Sequence, residues 1–249
     1  MDRTLHGQSV LVTGASGEIG AAIVERLALA GAQPIIHYHQ DVPAAEALLA
    51  RIGGNGILIQ ADLSQAEGPF DLWRRAVDSA GRVHGLVNNA GTCEAISIDS
   101  SPEDWKSAWL REFQVNLFAA ADLCKEAIRH YRTEGGGRIV NIASQAGQRG
   151  SAPEALPYGA SKAAMINLTK SIARNFARDG ATAVCIAPGL VRTGMIECFI
   201  AAQGMMEDIP VGDMAEPEEI AELVAFVMLY SQESLNGATL DVNGGSYIR

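Results

Sequence analysis

Long hydrophobic runs are missing from this sequence. No stretch of about eighteen or more apolar residues occurs, so no transmembrane helix is predicted. The first residues, MDRTLHGQ, contain neither the apolar segment nor the small-residue cleavage site of a secretory signal. From both absences we expect a cytoplasmic protein without a membrane partner.

Cysteine and positive charge are also scarce. The four cysteines, Cys93, Cys124, Cys185 and Cys198, are far apart and form no CxxC pair. We therefore expect buried free thiols in a reducing compartment and no metal site. Lys and Arg number 19 against 29 Asp and Glu, which gives a formal net charge of −10. This negative surplus argues against nucleic acid and anionic membranes as partners.

The chain also lacks a long segment rich in Pro, Gly or Ser that would join two domains. Strand-like apolar runs are instead found at 9–13, 34–38, 56–60, 84–88, 138–143, 182–187 and 238–242, with helical patterns at about 19–30, 43–52, 68–80, 103–131, 158–178 and 217–230. Strands that are apolar on both faces and alternate with amphipathic helices indicate a parallel sheet covered on both sides. The predicted fold is α/β, with one domain over residues 1–249 and a doubly wound, seven-stranded parallel sheet.

The first strand-like run leads into the turn TGASGEIG, residues 13–20. In a doubly wound sheet, glycines here allow a tight bend, and the N-terminus of the next helix presents N–H groups to a dinucleotide pyrophosphate. The turn therefore predicts nucleotide binding, with a purely structural glycine turn as the alternative. Glu18 is unexpected, because it places a carboxylate close to the expected pyrophosphate.

The segment PYGASKAAM contains a tyrosine and a lysine four residues apart. In a helix, Tyr158 and Lys162 would lie on one face with their side chains close together. A nearby ammonium group lowers a tyrosine pKa, so that the hydroxyl can exchange a proton with an alcohol or carbonyl near neutral pH. Considered alone, the pair is also consistent with an exposed tyrosine beside a solvated lysine.

Five motifs follow one another along the chain: TGASGEIG at 13–20, NNAG at 88–91, NIAS at 141–144, the Tyr158 and Lys162 pair, and APGLVRT at 187–193. In this order and spacing the sequence resembles the classical short-chain dehydrogenase/reductase family, and most closely its 3-oxoacyl-(acyl-carrier-protein) reductase branch. The resemblance extends to the closing GATLDVNGG at 237–245. It implies a Rossmann fold and an NAD(P)-dependent oxidoreductase that interconverts a carbonyl and a secondary alcohol.

The resemblance also assigns roles to four catalytic residues. Ser144 would hydrogen-bond the substrate oxygen, and Tyr158 would donate or accept its proton. Lys162 would lower the pKa of Tyr158 and hold the nicotinamide ribose, while Asn116 in QVNLF would anchor a water molecule of the proton relay. Taken alone, Ser144 also suits a turn after a strand, and Asn116 a helix kink.

The implied cofactor contacts are spread over most of the chain. Asp62 and Asn88 would lie on the adenine and adenosine side, and Pro188, Gly189 and Thr193 beside the nicotinamide carboxamide. The predicted set is Gly14, Ser16, Gly17, Glu18, Ile19, Gly20, Tyr38, His39, Asp62, Leu63, Asn89, Ala90, Gly91, Tyr158, Lys162, Pro188, Gly189, Val191 and Thr193.

Glu18 departs from the family pattern, which has glycine at this position; here the glycine is one residue earlier, at Gly17. A glutamate in the first turn of a helix is favoured by about 0.3–1 kcal/mol through the helix dipole. Near a pyrophosphate, a screened carboxylate costs on the order of 1 kcal/mol, or about tenfold in affinity, unless its side chain turns to solvent. We expect cofactor binding to be weakened but retained. A non-catalytic structural subunit is the alternative.

The end of the second strand, PIIHYHQD, bears on the choice of cofactor. An Asp or Glu there binds the ribose 2′-hydroxyl of NAD and repels the 2′-phosphate of NADP. In the family register this position is Tyr38, followed by His39. We therefore expect NADP(H) to be favoured over NAD(H), with His39 beside the phosphate. The preference would be modest, because Gly17 replaces an arginine of many NADP-binding relatives and Asp41 lies nearby.

The sequence constrains the substrate less closely. We expect an acyl-thioester or another small-molecule carbonyl compound, with an NAD-dependent alcohol, sugar or steroid dehydrogenase as the alternative. Residues 195–214 lie where the family has its substrate lid, and their Met, Ile and Ala suit an apolar ligand or an ordinary packed helix. An acyl carrier protein is weakly supported as a partner, because Gly135 and Asp179 occupy positions where basic residues are expected. Nearby basic residues are Arg132, Arg138, Arg174 and Arg178.

A homotetramer is expected from the family resemblance. In the long helical pattern an apolar stripe recurs at spacings of four and three, formed by Leu117, Ala121, Cys124, Ile128 and Tyr131. Such a stripe must be buried. In the family this helix and the one that carries Tyr158 also pack across a twofold axis.

Overall fold

Seven parallel strands form the centre of the protein. The computed structural model describes residues 4–194 and 209–248, without the side chains of 230–232. The strands are β1 (Ser9–Val12), β2 (Gln33–Tyr38), β3 (Ile57–Gln60), β4 (Gly85–Asn88), β5 (Gly137–Ile142), β6 (Ala181–Pro188) and β7 (Thr239–Val242), in the sheet order β3-β2-β1-β4-β5-β6-β7. All seven predicted strands are confirmed, because each apolar run is long enough to cross the buried sheet.

Helices cover both faces of this sheet. They are α1 (Glu18–Leu29), α2 (Val42–Arg51), α3 (Gly68–Ala80), α4 (Pro102–Phe113), α5 (Ala119–Glu134), α6 (Ala146–Arg149), α7 (Leu156–Phe176) and α8 (Pro217–Met228). Several helices begin with the expected capping chemistry: the Ser101 hydroxyl accepts a hydrogen bond from the Asp104 nitrogen at 3.1 Å, and Asp41 accepts one from Ala44 at 3.0 Å.

The two faces of the sheet carry separate apolar layers. On one face, Ile23 and Leu27 of α1 and Val224 of α8 pack with strand side chains such as Val12. On the other, α3 and α5 cover strand residues, and Leu72 and Leu123 are buried there among them. The sheet therefore has the two covered faces that its apolar strands predict.

The strand order reverses between β1 and β4. From β1 the chain builds outward to β2 and β3, and then returns to place β4 on the other side of β1. The connections on either side of this point leave the sheet in opposite directions, which opens a crevice at the carboxyl ends of β1 and β4. The glycine turn, residues 13–20, lies at this crevice.

The predicted helix at 103–131 is interrupted. Residues Gln114–Phe118 form a π-helical turn between α4 and α5, and Asn116 lies in its middle. A π-turn inserts one extra residue into a helix, so the side chains before and after it change their face. Of the predicted stripe, Cys124, Ile128 and Tyr131 are buried, whereas Leu117 and Ala121 are half-buried.

The predicted substrate lid, residues 195–214, falls mostly outside the described residues, as does Cys198. Cys124 and Cys185 are buried thiols, and Cys93 is half-buried. Across residues 4–194 and 209–248, we find no helix with both the length and the apolar character to cross a bilayer.

Candidate active site

A cleft of about 540 Å³ opens at the carboxyl ends of β1 and β4. It gathers most of the predicted cofactor residues: Gly14, Ser16, Gly17, Glu18, Ile19, Gly20, His39, Asp62, Leu63, Asn89, Ala90, Gly91 and Thr193. Six residues that were not predicted also line it: His37, Ser64, Thr92, Glu94, Arg111 and Val115. The fold thus joins sequence segments from Gly14 to Thr193 into one crevice.

The glycine turn is shaped for close approach of a ligand. Gly14 has a φ of +62°, and a Cβ there would lie 2.8 Å from Cα of Ala90. A Cβ on Gly20 would collide with the carbonyl oxygen of Gly14. The α1 helix begins after Gly17 without a side-chain cap, so its N-terminal N–H groups and dipole are available to an anion. These features fit the pyrophosphate of a dinucleotide.

Two side chains brace this turn from the end of β4. The Thr13 hydroxyl accepts hydrogen bonds from the backbone nitrogens of Asn89 and Ala90, both at 3.0 Å. The Asn89 amide in turn donates to the carbonyl oxygens of Thr13 and Gly14, at 3.0 and 3.2 Å. Asn89 therefore positions the cleft wall as well as lining it.

His37 is a positioning residue that the sequence analysis missed. Its Nδ1 accepts a hydrogen bond from the Gly14 nitrogen at 3.0 Å, and its Nε2 lies 3.2 Å from the carbonyl oxygen of Ala61. Burial lowers the pKa of His37 to about 4, so the ring is neutral at pH 7. The one available signal was a polar residue inside the otherwise apolar run PIIHY.

Glu18 is exposed, and its side chain has one hydrogen-bond partner outside the glycine turn. Its carboxylate Oε2 accepts a hydrogen bond from the backbone nitrogen of Gly194 at 2.8 Å. The side chain therefore joins the start of α1 to the segment that follows β6. The sequence predicted either a carboxylate near the pyrophosphate or one turned to solvent, and it did not predict this contact with the Gly194 backbone.

His39 and Asp62 also line the cleft. The His39 Nε2 is 3.7 Å from Oδ1 of Asp62, and both side chains are partly exposed. Asp62 also accepts hydrogen bonds from the backbone and hydroxyl of Ser64, at 2.9 and 2.6 Å. The hydrogen bond from the Ser64 hydroxyl stabilises the Asp62 carboxylate and is the main reason why the pKa of Asp62 is below its ordinary value. Tyr38 does not line the cleft, because successive side chains of a strand point to opposite faces.

Asn88 does not lie on the cleft, contrary to expectation. Its side chain is 1% exposed and its amide donates to Oδ1 of Asn141 at 2.8 Å and to Sγ of Cys124 at 3.3 Å. Asn88 and Asn141 are register partners on β4 and β5. They face the helix layer on one side of the sheet, so Asn88 stabilises the core instead.

The catalytic residues predicted from the resemblance meet beside β5. Ser144 follows this strand, and its side chain is near enough to the hydroxyl of Tyr158 on α7 to oppose the rise of the tyrosine pKa. Lys162, one turn further along α7, is 4% exposed; its Nζ donates to the carbonyl oxygen of Ile142 at 2.9 Å and lies 5.7 Å from the centre of the Tyr158 ring. The tyrosine and lysine therefore share one helix face, as predicted.

The electrostatics of this pair differ from the prediction. Burial raises the pKa of Tyr158 to about 12, and the hydrogen bond with Ser144 only partly opposes this rise. Burial also lowers the pKa of Lys162 to about 8. The Nζ of Lys162 is directed at the Ile142 carbonyl oxygen.

Asn116 is held from several directions. Its Oδ1 accepts a hydrogen bond from the Thr92 nitrogen at 2.8 Å, and its Nδ2 lies 2.9 Å from the Thr92 carbonyl oxygen. The same Nδ2 is 2.8 Å from Oε2 of Glu112. Glu112 is buried, and the sequence did not predict it as a site residue. Thr92 also lines the cleft, so Asn116 adjoins the wall of the cofactor site.

The predicted nicotinamide-side residues follow β6. The carbonyl oxygen of Pro188 accepts a hydrogen bond from the Gln145 nitrogen at 2.8 Å, next to Ser144 in the chain. Gly189 donates to the carbonyl oxygen of Val242, and Val191 pairs with Ala215. These backbone contacts hold the strand end beside Ser144; of this group only Thr193 lines the cleft itself.

The chain is similar to known reductases along nearly its whole length. A family model described as enoyl-(acyl carrier protein) reductase matches residues 14–247. A 3-oxoacyl-(acyl-carrier-protein) reductase from Synechocystis sp. is 34% identical over 247 residues, which cover 97% of each chain. A crystal structure of a short-chain dehydrogenase from Burkholderia cenocepacia J2315 in complex with NADP is 33% identical, with a TM-score of 0.89 over 97% of this chain and 98% of that one. A 3-ketoacyl-(acyl-carrier-protein) reductase from Brucella melitensis, complexed with NADH, is 27% identical, with a TM-score of 0.89 over 98% and 100%.

Proposed function

The chain belongs to the short-chain dehydrogenase/reductase family, and we propose that it reduces a ketone to a secondary alcohol with NADPH. Membership makes it an NAD(P)-dependent oxidoreductase that acts on the CH–OH/C=O pair. The direction, the preferred nicotinamide and the roles of individual residues are our proposal. The observation that carries it is the convergence of Ser144, Tyr158, Lys162 and Asn116 beside a cleft with an uncapped glycine turn.

The residues present fit a nicotinamide dinucleotide. The glycine turn and the start of α1 would hold the pyrophosphate, and His39 and Asp62 would lie at the adenosine end. Lys162 would hold the ribose on the nicotinamide side. When bound, the reduced cofactor supplies a hydride to the substrate carbon.

The chain itself supplies the proton and the polarisation of the carbonyl. A pKa of about 12 keeps the hydroxyl of Tyr158 protonated at neutral pH, which is the form that donates to an alkoxide as it develops. Ser144, near that hydroxyl, would donate a second hydrogen bond to the same substrate oxygen. In the reverse direction, the phenolate of Tyr158 would accept the proton of the alcohol.

For the substrate we propose a small 3-oxoacyl thioester, which the names of the relatives support. Recognition of a carrier protein is not favoured by the surface where basic residues would be expected. Gly135 caps α5 with a φ of +81°, and Asp179 pairs with Arg132 at 2.9 Å. Arg138 donates to the carbonyl oxygen of Val227. The thioester can therefore be carried by coenzyme A as well as by a protein.

The test is the oxidation of NADPH in the presence of acetoacetyl-coenzyme A, which is monitored through the loss of NADPH absorbance. Binding of NADPH is measured in parallel by the fluorescence of Trp73, Trp105 and Trp109. Turnover supports the proposal. Binding without turnover of any of a panel of ketones, alcohols and thioesters would instead favour a non-catalytic subunit. Turnover of alcohols with NAD alone would favour the alternative dehydrogenase.

We also propose a homotetramer. Two large apolar side chains, Leu110 on α4 and Phe118 at the end of the π-turn, are 57% and 47% exposed. Phe118 continues a row of aromatic rings with Phe113 and Trp109, spaced 6.2 and 5.7 Å apart. Burial of this row against a second copy would remove its apolar area from water. Light scattering coupled to gel filtration tests the mass in solution.

A further inference from the structure

Glu112 is a fully buried carboxylate beside the proposed catalytic site. It lies on α4, one turn before Asn116, and none of its surface is exposed. Its Oε1 is 2.7 Å from the backbone nitrogen of Glu94 and 3.3 Å from the hydroxyl of Thr92, and its Oε2 is 2.8 Å from Nδ2 of Asn116. Three donors thus surround one carboxylate.

This arrangement requires a group that accepts hydrogen bonds on both oxygens. A carboxylate does so, whereas the amide of a glutamine offers one acceptor and one donor. With glutamine at position 112, an N–H group would therefore face either the Glu94 nitrogen or the Asn116 amide. The surroundings of Glu112 select a charged acceptor despite the cost of burying it.

The carboxylate also decides which way the Asn116 amide points. In the opposite orientation, Oδ1 of Asn116 would face the Glu112 carboxylate, and Nδ2 would face the N–H of Thr92. Both contacts would be repulsive. Glu112 and the Thr92 backbone together therefore leave Asn116 a single orientation.

From Asn116 the contacts continue to the helix that carries the catalytic tyrosine. Its Nδ2 lies 3.2 Å from the hydroxyl of Ser161, which donates to the carbonyl oxygen of Tyr158 at 2.7 Å. A Cβ on Gly91 would lie 3.2 Å from Oδ1 of Asn116 and 3.3 Å from Nζ of Lys162, so both groups flank that glycine.

We propose that Glu112 is a positioning residue of the reduction, which fixes the Asn116 amide between the cleft wall and α7 and places a negative charge behind the Tyr158 and Lys162 pair. This inference rests on the proposed function. It adds Glu112, a buried ionisable residue, to the four proposed catalytic residues. Glu112 acts through Asn116 and does not touch the substrate.

The negative charge of Glu112 changes the pKa values of nearby ionisable groups. The ionisable groups that face it are Glu94, Cys93, Arg111, Tyr158 and Lys162. Its negative charge contributes to raising the pKa of Tyr158 and that of Lys162. Burial raises the pKa of Glu112 itself from its ordinary value, opposed by its hydrogen-bond donors. In alkaline solution it is ionised, and it helps both α7 groups to keep their protons.

The experiment compares wild type with Glu112→Gln, Glu112→Asp and Glu103→Gln. Glu103 is an exposed glutamate in the first turn of the same helix, and its variant controls for the loss of one charge. For each protein we would measure the NADPH dissociation constant, and kcat and KM for ketone reduction over a range of pH. Wild-type turnover in this series tests the proposed function separately.

Glu112→Gln is expected to lower kcat about tenfold to hundredfold, with an NADPH dissociation constant within about twofold of wild type. The alkaline limb of its kcat profile should move to lower pH by at least about half a unit, because Tyr158 and Lys162 lose their protons more easily. Glu112→Asp keeps the charge, so the limb should stay while kcat falls by a smaller factor. Glu103→Gln should match wild type.

The inference is wrong if wild type is active, Glu112→Gln folds, and the alkaline limb of its kcat profile lies at the same pH as in wild type. A glutamate with a purely structural role would leave that limb in place. If the glutamine variant does not fold, Glu112→Asp decides: wild-type kcat in that variant contradicts a positioning role. An inactive wild type would instead refute the proposed function.

Discussion

Nδ1 of His37 lies 3.0 Å from the backbone nitrogen of Gly14 and accepts its hydrogen bond. With Nδ1 as acceptor, the other nitrogen carries the proton and donates to the Ala61 carbonyl oxygen at 3.2 Å. One neutral ring therefore joins the glycine turn after β1 to the chain after β3. The shape of the cofactor cleft depends on a side chain whose own partners are both backbone groups.

Replacement of His37 should destabilise the protein. His37→Phe keeps a buried ring of similar size but leaves the Gly14 N–H and the Ala61 carbonyl without partners. An unsatisfied buried group costs about 1–3 kcal/mol, so we expect a loss of this order in the free energy of unfolding at pH 7. Urea unfolding measures it. His37→Asn keeps an acceptor near the position of Nδ1 and should lose less.

The same histidine should make the protein sensitive to acid. Its pKa is about 4 in the folded state and about 6.5 when unfolded, so the unfolded chain binds the proton more readily. Stability is therefore complete above about pH 6.5 and is lost as the pH falls towards 4. The difference corresponds to about 3 kcal/mol.

Urea unfolding at several pH values between these limits checks this window. In His37→Phe the corresponding loss should be absent, so the stability gap between the two proteins should narrow in acid. His6→Gln removes an exposed histidine and serves as the control. A constant gap between wild type and His37→Phe would contradict the assignment.

The strands and the glycine turn were predictable because their signals are local. Each strand is a short apolar run, and the bends at Gly14 and Gly20 need residues without a Cβ. The break in the long helix was not predictable in this way. The π-turn at Gln114–Phe118 has no proline or glycine to mark it, and helical periodicity continues on both sides.

Part of the candidate site was also beyond sequence reasoning, for a related reason. The partners of His37 are backbone groups 23 and 24 residues away, and Glu112 accepts from residues 18 and 20 positions earlier. Nothing local distinguishes such a glutamate from one on an exposed helix face. Asn88 is the opposite case: the NNAG motif predicted that it lines the cofactor site, but its side chain faces the core.

Tyr158→Phe should remove ketone reduction while NADPH still binds. The ring keeps its packing on α7, but the hydroxyl that carries the transferable proton is lost. Loss of a positioned proton donor costs about 10²–10⁴-fold in rate. Steady-state kinetics and NADPH titration measure the two effects. Turnover above about a tenth of wild type would refute the role of Tyr158 as proton donor.

Substitution of Glu18 separates its charge from its hydrogen bond. Glu18→Gln removes the charge but keeps an oxygen that can accept from Gly194, so NADPH should bind up to about tenfold more tightly. Glu18→Gly removes both, and the gain should be smaller if the Gly194 contact holds the cleft wall in place. Calorimetry gives both dissociation constants. Equal values in all three proteins would mean that the carboxylate is too far from the pyrophosphate to matter.

The choice between NADPH and NADH should depend on His39. The imidazole of His39 lines the cleft and can donate a hydrogen bond to the 2′-phosphate of NADPH. Asp62, 3.7 Å from Nε2 of His39, offers the ring a competing partner and keeps the preference modest. We expect the ratio of kcat/KM for NADPH to that for NADH to exceed one in wild type and to fall in His39→Ala.

The decisive comparison is between wild type and His39→Ala, with kcat/KM measured for both cofactors at one pH. The alanine variant should lose most of the preference for NADPH. His39→Asp places an acidic group at the end of β2, which would bind a ribose hydroxyl and repel a phosphate, so it should reverse the preference towards NADH. A full NADPH preference in His39→Ala would show that another group holds the phosphate, and a wild type that prefers NADH would refute the proposed cofactor.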